Sequence, residues 1–156
     1  VNVSKLGVRP HVTAGAGGFV DITARAKKIV FSGFFTAAAK LDVVEGALAI
    51  GQEGKVKKLV QAVEHVSFSG RRAVEQGQDI TYVTERCVLK LTREGVMVTE
   101  IAPGVDLDRD VLAQSEFPLL VSPRLARMDA ALFKPEPIGL KLGSNGASHT
   151  LAEAAE

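Results

Sequence analysis

A single cysteine, Cys87, stands among the 156 residues, so no internal disulfide can form, and no pairing of it with His11, His65 or His149 has the spacing of a zinc site. The expectation is a reducing, cytoplasmic setting without a bound metal. No block of basic residues occurs either. The 19 lysines and arginines are offset by 18 acidic residues for a net charge of +1, which leaves no electrostatic footprint for nucleic acid or for an anionic membrane surface. Long apolar runs are missing: the longest falls far short of the roughly 20 residues that a membrane-spanning helix needs, and no charged-then-apolar leader opens the chain. Methionine is absent from the first position. Val1 runs directly into an alternation of apolar and polar residues through Leu6 with no turn before it, as if the sequence began inside a larger protein.

What is present suits one globular domain with room for a core, at 46% hydrophobic and 24% charged residues. Strand-like runs separated by turn signals fill the first hundred residues. Residues 28–35 are β-branched and aromatic, and residues 41–44 and 47–50 flank Glu45-Gly46 as the arms of a hairpin do. Residues 59–68 carry both periods: Leu59, Val63 and Val66 sit at helical spacing, whereas Val60, Ala62, Val66 and Phe68 fall on one face of a strand, the reading adopted here. One helical turn is expected over residues 71–76, then strands over 80–83, 87–91 and 96–101, with Arg93-Glu94-Gly95 as the turn between the last two. Past Pro103-Gly104, acidic residues open a helix over 106–114. Ser122-Pro123 then reads as a cap followed by proline at the first helical position, which predicts a second helix ending near Phe133. Residues 134–156 are rich in Pro, Gly, Ser, Ala and Glu and offer little to bury, so an extended tail is expected there, beyond a domain of residues 1–133.

One motif can carry chemistry. The run Thr13-Ala14-Gly15-Ala16-Gly17-Gly18-Phe19-Val20-Asp21-Ile22 sets three glycines between a strand-like segment and one that suits a helix. Glycines permit positive φ and close approach of a ligand, so their amides can face a phosphate or the oxyanion of a carbonyl under attack. The spacing fits neither a dinucleotide-binding turn nor a P-loop, and by itself it reads first as a plain tight turn.

Several ordered segments change that balance. The stretch from Val1-Asn2-Val3-Ser4-Lys5 through Gly15-Ala16-Gly17-Gly18-Phe19 to Ala26-Lys27-Lys28-Ile29-Val30-Phe31 resembles acyl-CoA:acetate and 3-ketoacid CoA-transferases of family I. So, in order, do the segments Gln52-Glu53-Gly54-Lys55-Val56-Lys57-Lys58, Ile80-Thr81-Tyr82-Val83-Thr84-Glu85-Arg86, Thr99-Glu100-Ile101-Ala102-Pro103-Gly104-Val105-Asp106-Leu107 and Met128-Asp129-Ala130. The resemblance covers residues 1–133 and is to the family's carboxy-terminal half. It implies an α/β domain with a largely parallel sheet, flanking helices and a β-hairpin. It also implies a short-chain acyl-CoA and a carboxylate or 3-ketoacid as substrates, no permanently bound cofactor, a homo-oligomer, and the enzyme's amino-terminal half as a partner.

In that family a glutamate attacks the thioester, giving an acyl-glutamyl anhydride and then a glutamyl-CoA thioester, and the acceptor acid takes the CoA. The resemblance puts Gly15, Ala16, Gly17, Gly18 and Phe19 at the substrate and oxyanion loop. It puts the glutamate upstream of Val1, so the chain by itself is expected to be inactive. Glu45 and Glu53 fall on or beside the hairpin as exposed structural residues, and Glu85 suits an ion pair with Arg86 at a strand end. Cys87 reads as buried filler, Phe34 and Phe35 as core, and the histidines as surface or loop residues without a nucleophile-elbow partner. Lys27 and Lys28 either meet CoA phosphates or form the solvated start of a strand, and Phe19 packs either on an acyl or pantetheine chain or beneath its own loop. Two other functions remain open: a non-catalytic acyl-CoA-binding or assembly module, and a hydrolase with water as acceptor.

Overall fold

The computed structural model describes residues 17–63 and 65–139. The expected strand over residues 1–6, Gly15, Ala16, His11, His149 and the tail beyond residue 139 lie outside the described residues.

The sequence alternates β-branched strands with turns, and the turns set the topology. A five-stranded sheet runs in the order β1 (Lys28–Ser32), β6 (Asp79–Val83), β7 (Cys87–Leu91), β8 (Val96–Ile101) and β9 (Leu120–Arg127). Its outer pairs β1/β6 and β8/β9 are parallel, and the central pairs β6/β7 and β7/β8 are antiparallel. Short turns join the central strands, as antiparallel neighbours allow, while each parallel pair is separated by a long crossover. The first crossover holds β2 (Thr36–Ala37) paired with β5 (Val56–Lys57), and the hairpin β3 (Lys40–Val44) with β4 (Ala47–Gln52). It ends in helix α2 (Gly70–Glu75). Helix α1 (Gly17–Arg25) precedes β1, and α3 (Leu107–Asp110) continues into a 3-10 turn over Leu112–Gln114.

Local chemistry explains these elements. Glu45 and Gly46 both take positive φ, 51° and 77°, the pair of conformations a two-residue type I′ hairpin turn needs. Ser69 caps α2 by accepting from the Arg72 N–H at 3.3 Å, and Asp106 caps α3 by accepting from the Arg109 N–H at 2.8 Å.

The core has two parts. Phe35, Leu48, Cys87, Leu89, Val98, Ile101, Ala102, Val105, Val111 and Met128 make the larger. Phe68, Ala73 and Ile80 make the smaller, joined by Phe19, Ile29, Phe31 and Leu91. Phe31 centres the second cluster, 5.3 Å from the rings of both Phe68 and Tyr82. Phe34, expected in the core, is exposed, and only Phe35 is buried.

Two expected elements are replaced. Residues 59–63 and 66–68 form neither helix nor strand, and His65 makes only an isolated bridge. Leu59 anchors on the first cluster and Phe68 in the second, and Glu116 supplies the backbone partners that a ladder would give: its N–H donates to Leu59 O at 2.9 Å and its carboxylate accepts from Gln61 N–H at 3.1 Å. The helix expected after Ser122-Pro123 is strand β9 instead, and a 3-10 turn over Ala130–Phe133 follows it. Proline is tolerated because β9 is an edge strand and the register slips there, with Val98 opposite Val121 but Glu100 opposite Ala126.

Candidate functional site

Gly17 and Gly18 open α1, in the turn whose backbone N–H groups have no acceptor within the helix itself. A Cβ on either would meet nothing within 4 Å, so no packing inside the described residues demands glycine there. The Phe19 ring lies 6.0 Å from that of Phe31, so this side chain sits in the smaller core cluster. Thr23 is buried and its hydroxyl donates to Phe19 O at 2.8 Å. Gln78, before β6, ties the helix end down by donating to Thr23 O and Ala26 O at 2.9 and 2.6 Å. Between α1 and α2 a shallow groove of about 200 Å³ is lined by Val20, Ala24, Ser69, Arg72 and Gln76 among others. Lys28 pairs with Asp79 at 3.7 Å, which leaves it at the solvated start of its strand.

The densest polar constellation lies elsewhere, at the turn between β6 and β7. Arg86 is fully buried, and all five of its N–H donors are used. Its Nη1 and Nη2 grip Glu53 Oε2 and Oε1, each at 2.7 Å. Nε reaches Glu85 Oε1 at 3.2 Å, Nη1 also reaches Asp110 O at 2.9 Å, and Nη2 reaches Thr36 Oγ1 at 3.1 Å. The guanidinium carbon stands 5.4 Å from the centre of the Phe35 ring. Around it, Thr36 and the Gly54 N–H donate to Glu53 Oε1 at 2.7 and 2.6 Å, and the Phe35 N–H donates to Glu85 Oε2 at 2.8 Å.

The electrostatics follow from this geometry. The Arg86 hydrogen bonds pull Glu53 down to about 2, against the opposing effect of partial burial. Burial by itself would push Arg86 down, but Glu53 and then Glu85 outweigh it and hold the guanidinium above its ordinary value. Glu53 is therefore structural, as expected, but it is a bound ion-pair partner rather than an exposed hairpin residue. Glu85 makes the ion pair with Arg86 that its position suggested. A carboxylate whose oxygens already hold an arginine and backbone amides is a poor attacking group. Glu45 stands exposed at the hairpin turn. Cys87, wholly buried, has its thiol pushed up to about 12 by that burial.

The sequence did not reveal that Glu53, Glu85 and Thr36 converge on one guanidinium. Beyond the adjacent Glu85–Arg86 pair, the only signal was that Gln52–Lys58 and Ile80–Arg86 are both segments of the same resemblance. Among the described residues, no group of three or more His, Cys, Asp or Glu could hold a metal ion, and no helix is long and apolar enough to cross a membrane.

No family model matches the chain. Curated relatives do. A caffeate CoA-transferase of Acetobacterium woodii is 46% identical over 143 residues, which is 90% of this chain and 27% of that protein. The acetate CoA-transferase YdiF of Escherichia coli K12 is 45% identical over 129 residues, 82% of this chain and 24% of its own length. The chain thus spans about a quarter of the length of the curated relatives it matches. Among solved structures, the acyl-CoA transferase YdiF of E. coli O157:H7 as a thioester complex with CoA superposes with a TM-score of 0.79 at 45% identity, covering 82% of this chain and 25% of that one. Its apoenzyme gives 0.81 at 43% identity, covering 86% and 26%.

Proposed function

We propose that this chain, which belongs to the CoA-transferase family over the segment it spans, forms the carboxy-terminal part of an enzyme that moves coenzyme A between a short-chain acyl-CoA and a carboxylate or 3-ketoacid. The observation that carries the reading is identity of 45–46% with named CoA-transferases over 82–90% of the chain, on a fold matched at TM-scores of 0.79 and 0.81.

In this reading a glutamate outside the chain attacks the thioester carbonyl, the C–S bond breaks, and an acyl-glutamyl anhydride forms with release of the CoA thiolate. That thiolate attacks the glutamyl carbonyl, the donor's acid departs, and a glutamyl-CoA thioester remains. The acceptor carboxylate then repeats the two steps in reverse, leaving with the CoA and regenerating the glutamate. Each step places negative charge on a carbonyl oxygen, so backbone donors fixed beforehand are worth more than any mobile group. Gly15, Ala16, Gly17, Gly18 and Phe19 are assigned to that loop, with the first-turn amides of α1 as its donors. The protein is read as a cytoplasmic homo-oligomer with no resident cofactor.

The test uses the intact protein. It is mixed with acetyl-CoA and a second short-chain carboxylate, thioesters are followed by chromatography, and peptides are searched for a CoA adduct on glutamate. The expected result is a new acyl-CoA together with an adduct on a glutamate outside residues 1–156. No transfer, or an adduct on Glu53 or Glu85, overturns the reading. Release of free CoA with no new thioester makes water the acceptor and overturns it as well.

A further inference from the structure

Parallel strands occur almost always in sheets covered on both faces, because their crossovers lay helices over each side. Among the described residues, the β1/β6 pair breaks that pattern. On one face Ile29, Phe31, Ile80 and Tyr82 are covered through contacts with Phe19 of α1 and with Phe68 and Ala73 around α2. The register puts Val30 beside Thr81 and Ser32 beside Val83 on the other face. Val88 of β7, opposite Val83, ends that row, since it is partly buried against the larger core cluster. Here Val30 is 57% and Val83 is 37% exposed. The ion-paired set Lys28, Asp79 and Lys90 bounds the patch at one end, with Nζ to carboxylate distances of 3.7 and 2.7 Å. At the other end the loop leaving β1 holds out Phe34, 63% exposed. That loop is fixed: Gly33 N–H donates to Val83 O at 3.1 Å, Lys58 Nζ donates to Phe34 O at 2.8 Å, and Phe35 is anchored on Glu85. An aromatic ring held by three such ties in open space is a contact waiting for a partner.

We infer that this face of β1 and β6, with Phe34 at its rim, is the seat of the rest of the same polypeptide, which supplies the missing layer of the sheet. The inference rests on the functional reading above, because it takes the protein to have the length of a CoA-transferase. The occupant is named from length. The chain spans 24–27% of the relatives it matches, so about three quarters of such a protein remains to be placed. A covalently joined segment meets the patch at a far higher effective concentration than a second copy does. Among the described residues, β1 has no neighbour on its outer side in the sheet order.

The experiment uses the intact protein. Val83→Cys is alkylated with a small maleimide and its rate is compared with that of Val43→Cys on the exposed hairpin, with peptide mass spectrometry identifying the site. Cys87, buried and with its thiol raised, stays silent in both. Protection of Val83→Cys by about tenfold or more is the expected result, and equal rates overturn the inference. In a second preparation, which does not depend on that variant folding, a benzophenone amino acid replaces Phe34 and is photoactivated. A cross-link to a peptide outside residues 1–156, in a species of monomer mass, is expected. A cross-link within residues 1–156, or one that joins two copies, overturns the inference. CoA transfer is assayed on the unsubstituted protein alongside, so that a failed functional reading is told apart from a failed assignment of the face.

Discussion

Arg86 gathers Thr36, Glu53, Glu85 and Asp110 from four separate stretches of chain onto one guanidinium. Removing it strands Glu53 and Glu85 beside each other without their shared cation, and breaking a buried pair in this way costs about 3 kcal/mol or more. Arg86→Met is therefore expected to lower the denaturation midpoint of the intact protein sharply, whereas Glu53→Gln, which keeps the side-chain shape and one accepting oxygen but loses the charge and turns a donor toward its partners, costs less. The pH dependence has a definite sign. Glu53 titrates at about 2 in the folded protein against 4.5 as its ordinary value, so the stability it contributes is present above pH 4.5 and disappears as the pH falls toward 2. The stability difference between the native protein and Glu53→Gln should shrink across that window in denaturant titrations. A difference that stays constant there would show that the Glu53 charge contributes nothing.

At the scale of elements, the hairpin offers the cleanest local experiment. Glu45 is a side chain held at a φ of 51°, a conformation that disfavours most residues by roughly 1 kcal/mol and suits asparagine. Glu45→Asn should raise the unfolding free energy by about 0.5 kcal/mol, and Gly46→Ala should lower it by about 1 kcal/mol, both read from denaturant titrations. CoA transfer should be unchanged by the first, since Glu45 has no part in the proposed chemistry. This turn was legible in the sequence because its determinant is two adjacent residues, and so were the strands beside it, whose β-branched runs carry their own signal. Strand β9 was not legible. Ser122-Pro123 has the local chemistry of a helix start, and only the edge position and the register slip against β8 make a strand there acceptable. The same limit applies to residues 59–68, where anchors at Leu59 and Phe68 belong to different clusters and no single period describes the backbone. The Arg86 constellation was half legible. The neighbouring Glu85 was seen, but Glu53, 33 positions away in sequence, was not, because ion pairs over such separations leave no local pattern.

At the scale of the whole molecule, the glycine segment and the Arg86 network belong to a part that spans about a quarter of its relatives, and in the proposed reading the chemistry needs the remainder. If the open face of β1 and β6 receives that remainder, the covalent link is a convenience of assembly rather than a requirement of catalysis. The protein divided immediately before Val1 and produced as two co-expressed polypeptides should then copurify and transfer CoA, while either piece produced by itself should not. Val30→Asp should weaken copurification and transfer together, because it places an unpaired charge in the layer between sheet and partner. Asp42→Ala, on the exposed hairpin, should change neither. Transfer by residues 1–156 produced alone would show that a nucleophile lies within them, and the assignment of the glutamate to the other part would have to be abandoned. Copurification that survives Val30→Asp intact would instead move the contact to another surface while leaving the chemistry where it is.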